Sequence, residues 1–367
     1  MFRIMDRYIG KQIISATIFG VVVLSVILIM GNLYKELRPL LVEDKASPVQ
    51  VGQFILSLLP YSLIFTIPWG FLVAVLLVFG RLSAENELVC MRMSGISLLR
   101  VSTPVFVIGA LLSGLCLWLN ISMAPKAKDT MKFLLYEAVK ENPNAMLDPG
   151  VVQTRLKGQK IFIEQRDGDI LDGLHIYHLN EDNPSHFPTR SIHARKAKLK
   201  INDETKQIRL HLTDATIDSR DPNNARELAS IGEWEPLIFD FVAERKKKRK
   251  PSTMTNPEIR QRLASGEEKE ASKRYNLKNE IHRRYAFSCA CLALAMVAVP
   301  LGINARRKET STGLAMSIGI GLGYFLFFMI ASEFQKKEGN TAVILFWLPN
   351  VVCLGLGIYL FFRARSK

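Results

Sequence analysis

The sequence predicts an α-helical polytopic membrane protein with six transmembrane helices, three and three, around an inserted antiparallel β domain. Two observations carry this. Six long apolar segments, roughly 12–34, 53–80, 101–124, 285–304, 313–332 and 340–362, contain no Asp, Glu, Lys, Arg or His. Charge-free apolar runs of about 18 residues or more have the length and composition of membrane-spanning helices. Between the third and fourth runs, residues 125–284 hold all six histidines and most of the charge, and such a segment is long enough to bury a core of its own.

Taken in order, the first apolar run is too long for a signal-peptide core and has no A-x-A-like site after it, so it reads as a retained anchor. With the N-terminus in the cytoplasm, the short inside regions carry Arg3, Arg7, Lys11, Arg81, Arg92, Arg100, Arg306, Arg307, Lys308, Arg363, Arg365 and Lys367. The short outside loops carry Lys35, Arg38, Lys45, Lys336 and Lys337, diluted by acids, and this asymmetry sets the orientation. The second run holds Pro60 and Pro68, each of which removes a backbone donor and kinks a helix. The loop after it, about 83–95, has a helical pattern. Ser83 stands as its cap, Glu85 and Glu87 as its first turn, Leu88, Met91 and Arg92 at helical spacing, and Gly95 as its stop. It is either a connector lying in the interface or a docking element.

The insert alternates with period two over 160–164, 174–178, 197–201, 207–212 and 237–241, which predicts strands of a sandwich, jelly roll or similar fold. Turn residues at Arg166–Asp169, Asn202–Asp203 and Asp221–Asn224 separate them. Asn256 before Pro257 and Glu258 marks a helix start, and a polar helical stretch leads into the fourth run. The basic run Arg245–Lys250 reads as a solvated loop or a contact with an anionic surface. In the fifth run Gly319 and Gly323 are spaced G-x-x-x-G, which permits close helix approach within this chain or against a second subunit.

Composition excludes several functions. The net charge is +14, but many of the basic residues flank the apolar runs as topology signals do, which argues against a nucleic-acid partner. None of the five cysteines lies in the insert, so no disulfide framework or zinc-type spacing is present. His175 and His178 share a strand while His193 and His211 are isolated, a pattern of strand-surface histidines rather than a metal site. No G-x-S-x-G occurs, and no acidic pairing suggests general acid–base work. Charge-free spans argue against an ion-coupled carrier. Without a G-x-x-x-x-G-K-[ST] loop the chain has no such ATP site of its own, so a separate ATPase would have to dock at the cytoplasmic face.

Several stretches together resemble the lipopolysaccharide-export permease family, LptF/LptG. They are Glu280-Ile-His-Arg-Arg-Tyr-Ala286, Val299-Pro-Leu-Gly302 with Arg306-Arg307, Glu85-x-Glu87 through Met93-Ser-Gly95-Ile-Ser97, and Trp347-Leu-Pro-Asn350. The resemblance covers the whole chain. It implies helices one to three over 1–124 with the coupling helix, a periplasmic β-jellyroll domain over 125–284 ending in a helical linker, and helices four to six over 285–367. It implies a non-catalytic permease subunit of an ATP-driven transporter in the inner membrane, both termini cytoplasmic. This chain would hold no cofactor, with ATP and magnesium in the ATPase. Its partners would be a paralogous permease, a dimeric cytoplasmic ATPase, periplasmic jellyroll bridge proteins and lipopolysaccharide. Glu85, Glu87, Arg92 and Gly95 would form the ATPase-docking helix, with Glu87 the sharper candidate. Lys35 and Arg38 would meet lipid phosphates or act as interfacial anchors, and Arg283 and Arg284 would extend their basic rim. The K-x-x-R spacing of Lys35 and Arg38 leans toward the F paralogue. Alternatives are a lipoprotein-release or mechanical-coupling subunit, whose large domain usually follows the first of four spans, and a membrane-anchored binding protein, which lacks an output module here.

Overall fold

Six helices among the described residues are long and apolar enough to cross a membrane, and they hold an antiparallel sheet between the third and the fourth. The computed structural model describes residues 4–41, 48–141, 149–150, 152, 159–178, 190–202, 207–220, 226–233, 237–239, 250–266, 270–304, 310–337 and 339–365. The chain divides into two compact units, one of residues 1–34, 51–131 and 250–367, the other of 35–50 and 132–249.

The first unit contains most of the helical residues; the last residues of α1 and α5 and the first of α2 fall in the second. α1 (Ile4–Leu41) and α2 (Pro48–Ala84) are followed by a short α3 (Glu87–Met93) and by α4 (Leu98–Trp118). A π-helical turn, Leu119–Met123, continues α4 into α5 (Ala124–Glu141). After the sheet come α6 (Asn256–Ala264), α7 (Ala271–Ser288), α8 (Ala290–Asn304), α9 (Thr310–Glu333) and α10 (Thr341–Arg365). The candidate spans are Ile4–Tyr34, Val51–Ala84, Leu98–Met131, Ala271–Ile303, Ala315–Glu333 and Thr341–Arg363. Burial separates centre from periphery. The apolar windows of the second and fourth spans are 67% and 72% buried, and those of the other four are 17–28% buried. Helices apolar all round and buried on all sides belong at the middle of a bundle. Phe71, Leu72, Val75 and Phe79 of α2 meet Leu294, Ala295 and Ala298 of α8 in that core. Both prolines expected in the second span lie inside α2, which continues through them.

α1 and α2 cross backbone to backbone. A Cβ added at Gly70 would lie 2.9 Å from the Val21 amide nitrogen and 3.3 Å from the Gly20 carbonyl carbon, so only glycine admits this approach. Among the described residues, a Cβ at Gly319 or Gly323 would meet no atom within 4 Å, whereas a Cβ at Gly321 between them would lie 3.4 Å from the Trp69 ring.

The second unit contains one antiparallel sheet of β1 (Gln159–Asp167), β2 (Ile170–His178), β3 (Arg190–Asn202), β4 (Gln207–Arg220), β5 (Arg226–Glu233) and β6 (Leu237–Phe239). The strands follow one another as a meander, with β6 pairing the first part of β4 and β5 its second part. The strands expected at 160–164, 174–178, 197–201 and 207–212 are present, that at 237–241 is described over Leu237–Phe239 only, and the turn at Arg166–Asp169 is made with Gly168 at φ 59°. The turns expected at 203 and 221–224, and most of the 245–250 basic run, lie outside the described residues.

The sheet's buried face changes parity along a line. On β2 the core residues are Leu171, then Leu174 and Ile176; on β3 Ile192 and Ala194, then Ala197; on β4 Leu210 and Leu212, then Ala215 and Ile217. The pairing keeps the same offset on both sides of this line but skips Gly173 and Arg195 between β2 and β3, and Arg195 and Asp214 between β3 and β4. Gly173 (φ 64°) and Asp214 (φ 53°) adopt the left-handed conformation. These residues turn each strand over so that the same face stays inward beyond the line, a device that bends a sheet.

Candidate functional site

The loop after α2 is built differently from the sequence expectation. α2 runs on through Ala84, so Ser83 lies inside it and its hydroxyl donates to the Ile303 carbonyl at 2.9 Å instead of capping α3. Nothing in Arg81-Leu-Ser-Ala84 breaks a helix. The break comes at Asn86, which adopts φ 60°, a conformation open mainly to Gly, Asn and Asp. Glu87 opens α3, where its charge suits the helix N-terminus. The Tyr8 hydroxyl of α1 donates to Glu87 Oε1 at 3.2 Å. Glu85 precedes the helix, exposed, 4.0 Å from Arg81.

The other end of α3 closes as sequence implies. Gly95 at φ 80° lets its amide donate to the Arg92 carbonyl at 2.9 Å, and the Ile96 amide donate to the Met91 carbonyl at 3.1 Å. This is the paired bonding of a Schellman cap. Leu88, 4% exposed, anchors α3 in the helical core. Its outer surface presents Glu85, Val89, Cys90, Arg92 and Met93, the last 84% exposed. The result is a short, doubly fixed helix with a mixed apolar and charged surface.

A second cluster surrounds the start of the fourth span. Glu280, 2% exposed, accepts two bonds from Arg283 (2.6 and 2.8 Å), one from Arg284 (3.1 Å) and one from the Gln335 amide (3.0 Å). Arg284, also 2% exposed, donates further to Asn256 Oδ1 (2.8 Å) and to the carbonyls of Pro251 (3.1 Å) and Met254 (2.7 Å). Spacings of three and four residues place these groups on one helix face. α6 reaches them because the Thr255 amide is held by Glu258 at 2.7 Å, half of a capping box. Arg284 is therefore a buried clamp and not an exposed rim cation. Arg283 keeps 23% side-chain exposure and lines a cavity of about 20 Å³ with Tyr61, Asn120 and Lys128, room for one water molecule and no more.

The same network extends through residues whose geometry sequence does not suggest. Asn120, in the π-helical turn, donates to Ser288 at 3.1 Å, and Ser288 donates to the Arg284 carbonyl at 2.7 Å. Asn350 of the Trp347–Asn350 motif donates to the Ala286 carbonyl at 2.8 Å and accepts from Tyr324 at 3.1 Å. Two separated motifs thus meet at one hydrogen bond. Lys35 and Arg38 lie on α1 beyond the Ile4–Tyr34 span; their side chains fall outside the described residues.

On the β domain, His175 and His193 bring their Nδ1 atoms within 2.6 Å, and His175 Nε2 lies 3.2 Å from Glu164. Burial and the neighbouring His175 hold the His193 pKa below its usual value, against the pull of Asp218. Burial and Arg190 do the same for His178. No group of three or more metal-ligating side chains gathers among the described residues.

Six spans interrupted three and three by a β domain, with one fixed helix in a short connecting loop, define a multi-pass membrane protein of permease architecture. The profile of the lipopolysaccharide export system permease LptF/LptG matches residues 7–363. The chain belongs to that family. It is also 22% identical over 174 residues to an uncharacterized protein of Rickettsia prowazekii, a similarity covering 45% of this chain and 48% of that protein.

Proposed function

We propose that this chain is the membrane subunit of an ATP-driven transporter that extracts lipopolysaccharide from the inner membrane and passes it to a periplasmic bridge. The family match over nearly the whole chain carries this reading. The chain pairs with a paralogous permease, holds both termini in the cytoplasm and the β domain in the periplasm, and performs no catalysis itself. A dimeric ATPase binds below it at α3. The rigid anchoring of α3 by Leu88, Tyr8 and the Gly95 cap supports that role, because an element that transmits force between subunits has to move with its own bundle. Glu85, Glu87 and Arg92 supply charge for the contact, and Val89 and Met93 supply apolar area. The test is copurification. Glu87→Lys reverses the contact charge and reduces recovery of the ATPase, and Tyr8→Phe, which removes the same Tyr8–Glu87 bond while keeping the Glu87 charge, leaves recovery near the wild-type level. Recovery at the wild-type level removes the docking assignment.

A further inference from the structure

A second binding feature lies between α1 and α4. It is an open groove of about 650 Å³ lined by Arg7, Lys11, Ile14, Ile18, Val107 and Leu111 among others. That volume falls within the roughly 300–1,000 Å³ of small-molecule sites. Its polarity is graded along the helix. Arg7 and Lys11 are four residues apart on one face of α1, both exposed, and neither makes an ion pair among the described residues. Asp6, the neighbouring acid, is engaged by Arg100 of α4 at 2.7 Å with 3% of its side chain exposed, so that ion pair leaves the charge of Arg7 and Lys11 uncompensated. One turn further, the walls become apolar: Ile14 (47% exposed) and Ile18 (59%) face Val107 (39%) and Leu111 (69%).

We propose that this groove holds one resident anionic phospholipid, its phosphate between Arg7 and Lys11 and an acyl chain along Ile14, Ile18, Val107 and Leu111. Two cations without an ion pair among the described residues, at the end of an apolar channel, match the polarity of an anionic amphiphile, and basic pockets between membrane helices suit such headgroups. Arg offers a bidentate fork to the phosphate and Lys a mobile point charge. A partner helix in the same groove would cover two cations without neutralising them, which is costly in a low-dielectric setting. The site is distinct from the Lys35 and Arg38 region and does not depend on which lipid is transported.

The full chain, extracted in mild detergent and exchanged into micelles doped with phosphatidylglycerol or phosphatidylcholine, is examined by native mass spectrometry. One phosphatidylglycerol per chain is retained and phosphatidylcholine is not. The double variant Arg7→Ala with Lys11→Ala lowers phosphatidylglycerol affinity roughly thirtyfold. Leu111→Trp, at a lipid-facing position, fills the channel and abolishes retention with both cations intact. Equal retention of phosphatidylcholine overturns the proposal. So does unchanged retention in either variant, full displacement by inorganic phosphate, or crosslinking that places a second copy of the chain in the groove.

Discussion

Glu280 is a buried carboxylate that accepts from two guanidinium groups and a side-chain amide. Burying a carboxylate is expensive unless it is paired and hydrogen-bonded, and removing one partner of such a set leaves an uncompensated charge. Two guanidinium groups and the Gln335 amide surround Glu280, so Glu280→Ala leaves Arg284 buried with its remaining carbonyl and Asn256 acceptors and only the weaker pull of Glu258 as counter-charge. The expected cost is about 3–5 kcal/mol, read as a fall in the melting temperature of the detergent-solubilised chain. Arg283→Ala, which removes a partner that keeps 23% side-chain exposure, costs less. Asn350→Ala breaks the bond between the two motifs and leaves the Ala286 carbonyl unsatisfied, at about 1–3 kcal/mol. If Glu280→Ala melts like the wild type, the cluster does not hold α6 and α7 together.

At the scale of elements, periodicity made the helices and most strands legible, and the failures have local physical causes. The third helix was misplaced at its start because Asn86, and not Ser83, provides the turn by occupying a left-handed conformation. β5, Arg226–Glu233, carries few large apolar residues and no clean alternation, so it had no signal to read. The sheet's bend was hidden because its parity change reads in one dimension as a break between strands. Within the charged cluster, the spacing of Glu280 with Arg283 and Arg284 is visible in sequence, but the partners Asn256, Gln335 and Asn120 are distant in the chain and become neighbours only on folding. The Gly95 cap was legible, and it carries a prediction: Gly95→Val forces a β-branched residue to φ 80° at about 1–2 kcal/mol. α3 then frays, and ATPase recovery falls although Glu87 is intact. The histidine pair gives a second. Because His178 and His193 have folded pKa values below the usual 6.5, the unfolded chain binds protons first as pH falls, and the β domain loses stability below about 6.5. Hydrogen-exchange protection factors of β2 and β3, corrected for intrinsic rates, drop between pH 7.5 and 5.5. A double variant His178→Gln with His193→Gln flattens the drop; a pH-independent wild type would remove the assignment.

At the scale of the whole molecule, the distribution of burial says what this chain lacks. Its two central spans are covered by its own helices, while α1, α9 and α10 present apolar surface outward, including Phe19, Ile27, Phe327 and Tyr359. Lipid or a second permease can cover such faces, and Gly319 and Gly323 on α9, which pack closely against nothing among the described residues, leave room for the close approach of a partner helix. α1 reaches further than a bilayer requires. Its 38 residues extend about 57 Å at 1.5 Å per residue, against a hydrocarbon core of about 30 Å. Lys35 and Arg38 follow the Ile4–Tyr34 span on this continuous helix, so both stand past the apolar stretch on neighbouring turns of one rod. In the proposed transporter this is where an extracted lipid's phosphates pass on the way to the β domain. If the two residues meet the lipid's phosphates, replacing both by alanine removes two positive charges from that contact while leaving the apolar span and the charged cluster at Glu280 unsubstituted. Photocrosslinking of lipopolysaccharide at neighbouring helix positions then falls several-fold with the chain still inserted at wild-type abundance. Replacement by the opposite basic residue, Lys35→Arg with Arg38→Lys, restores most of it if charge is what matters. Crosslinking that survives the alanine pair unchanged leaves the two residues as interfacial anchors, and the route of the lipid must then be sought on another helix.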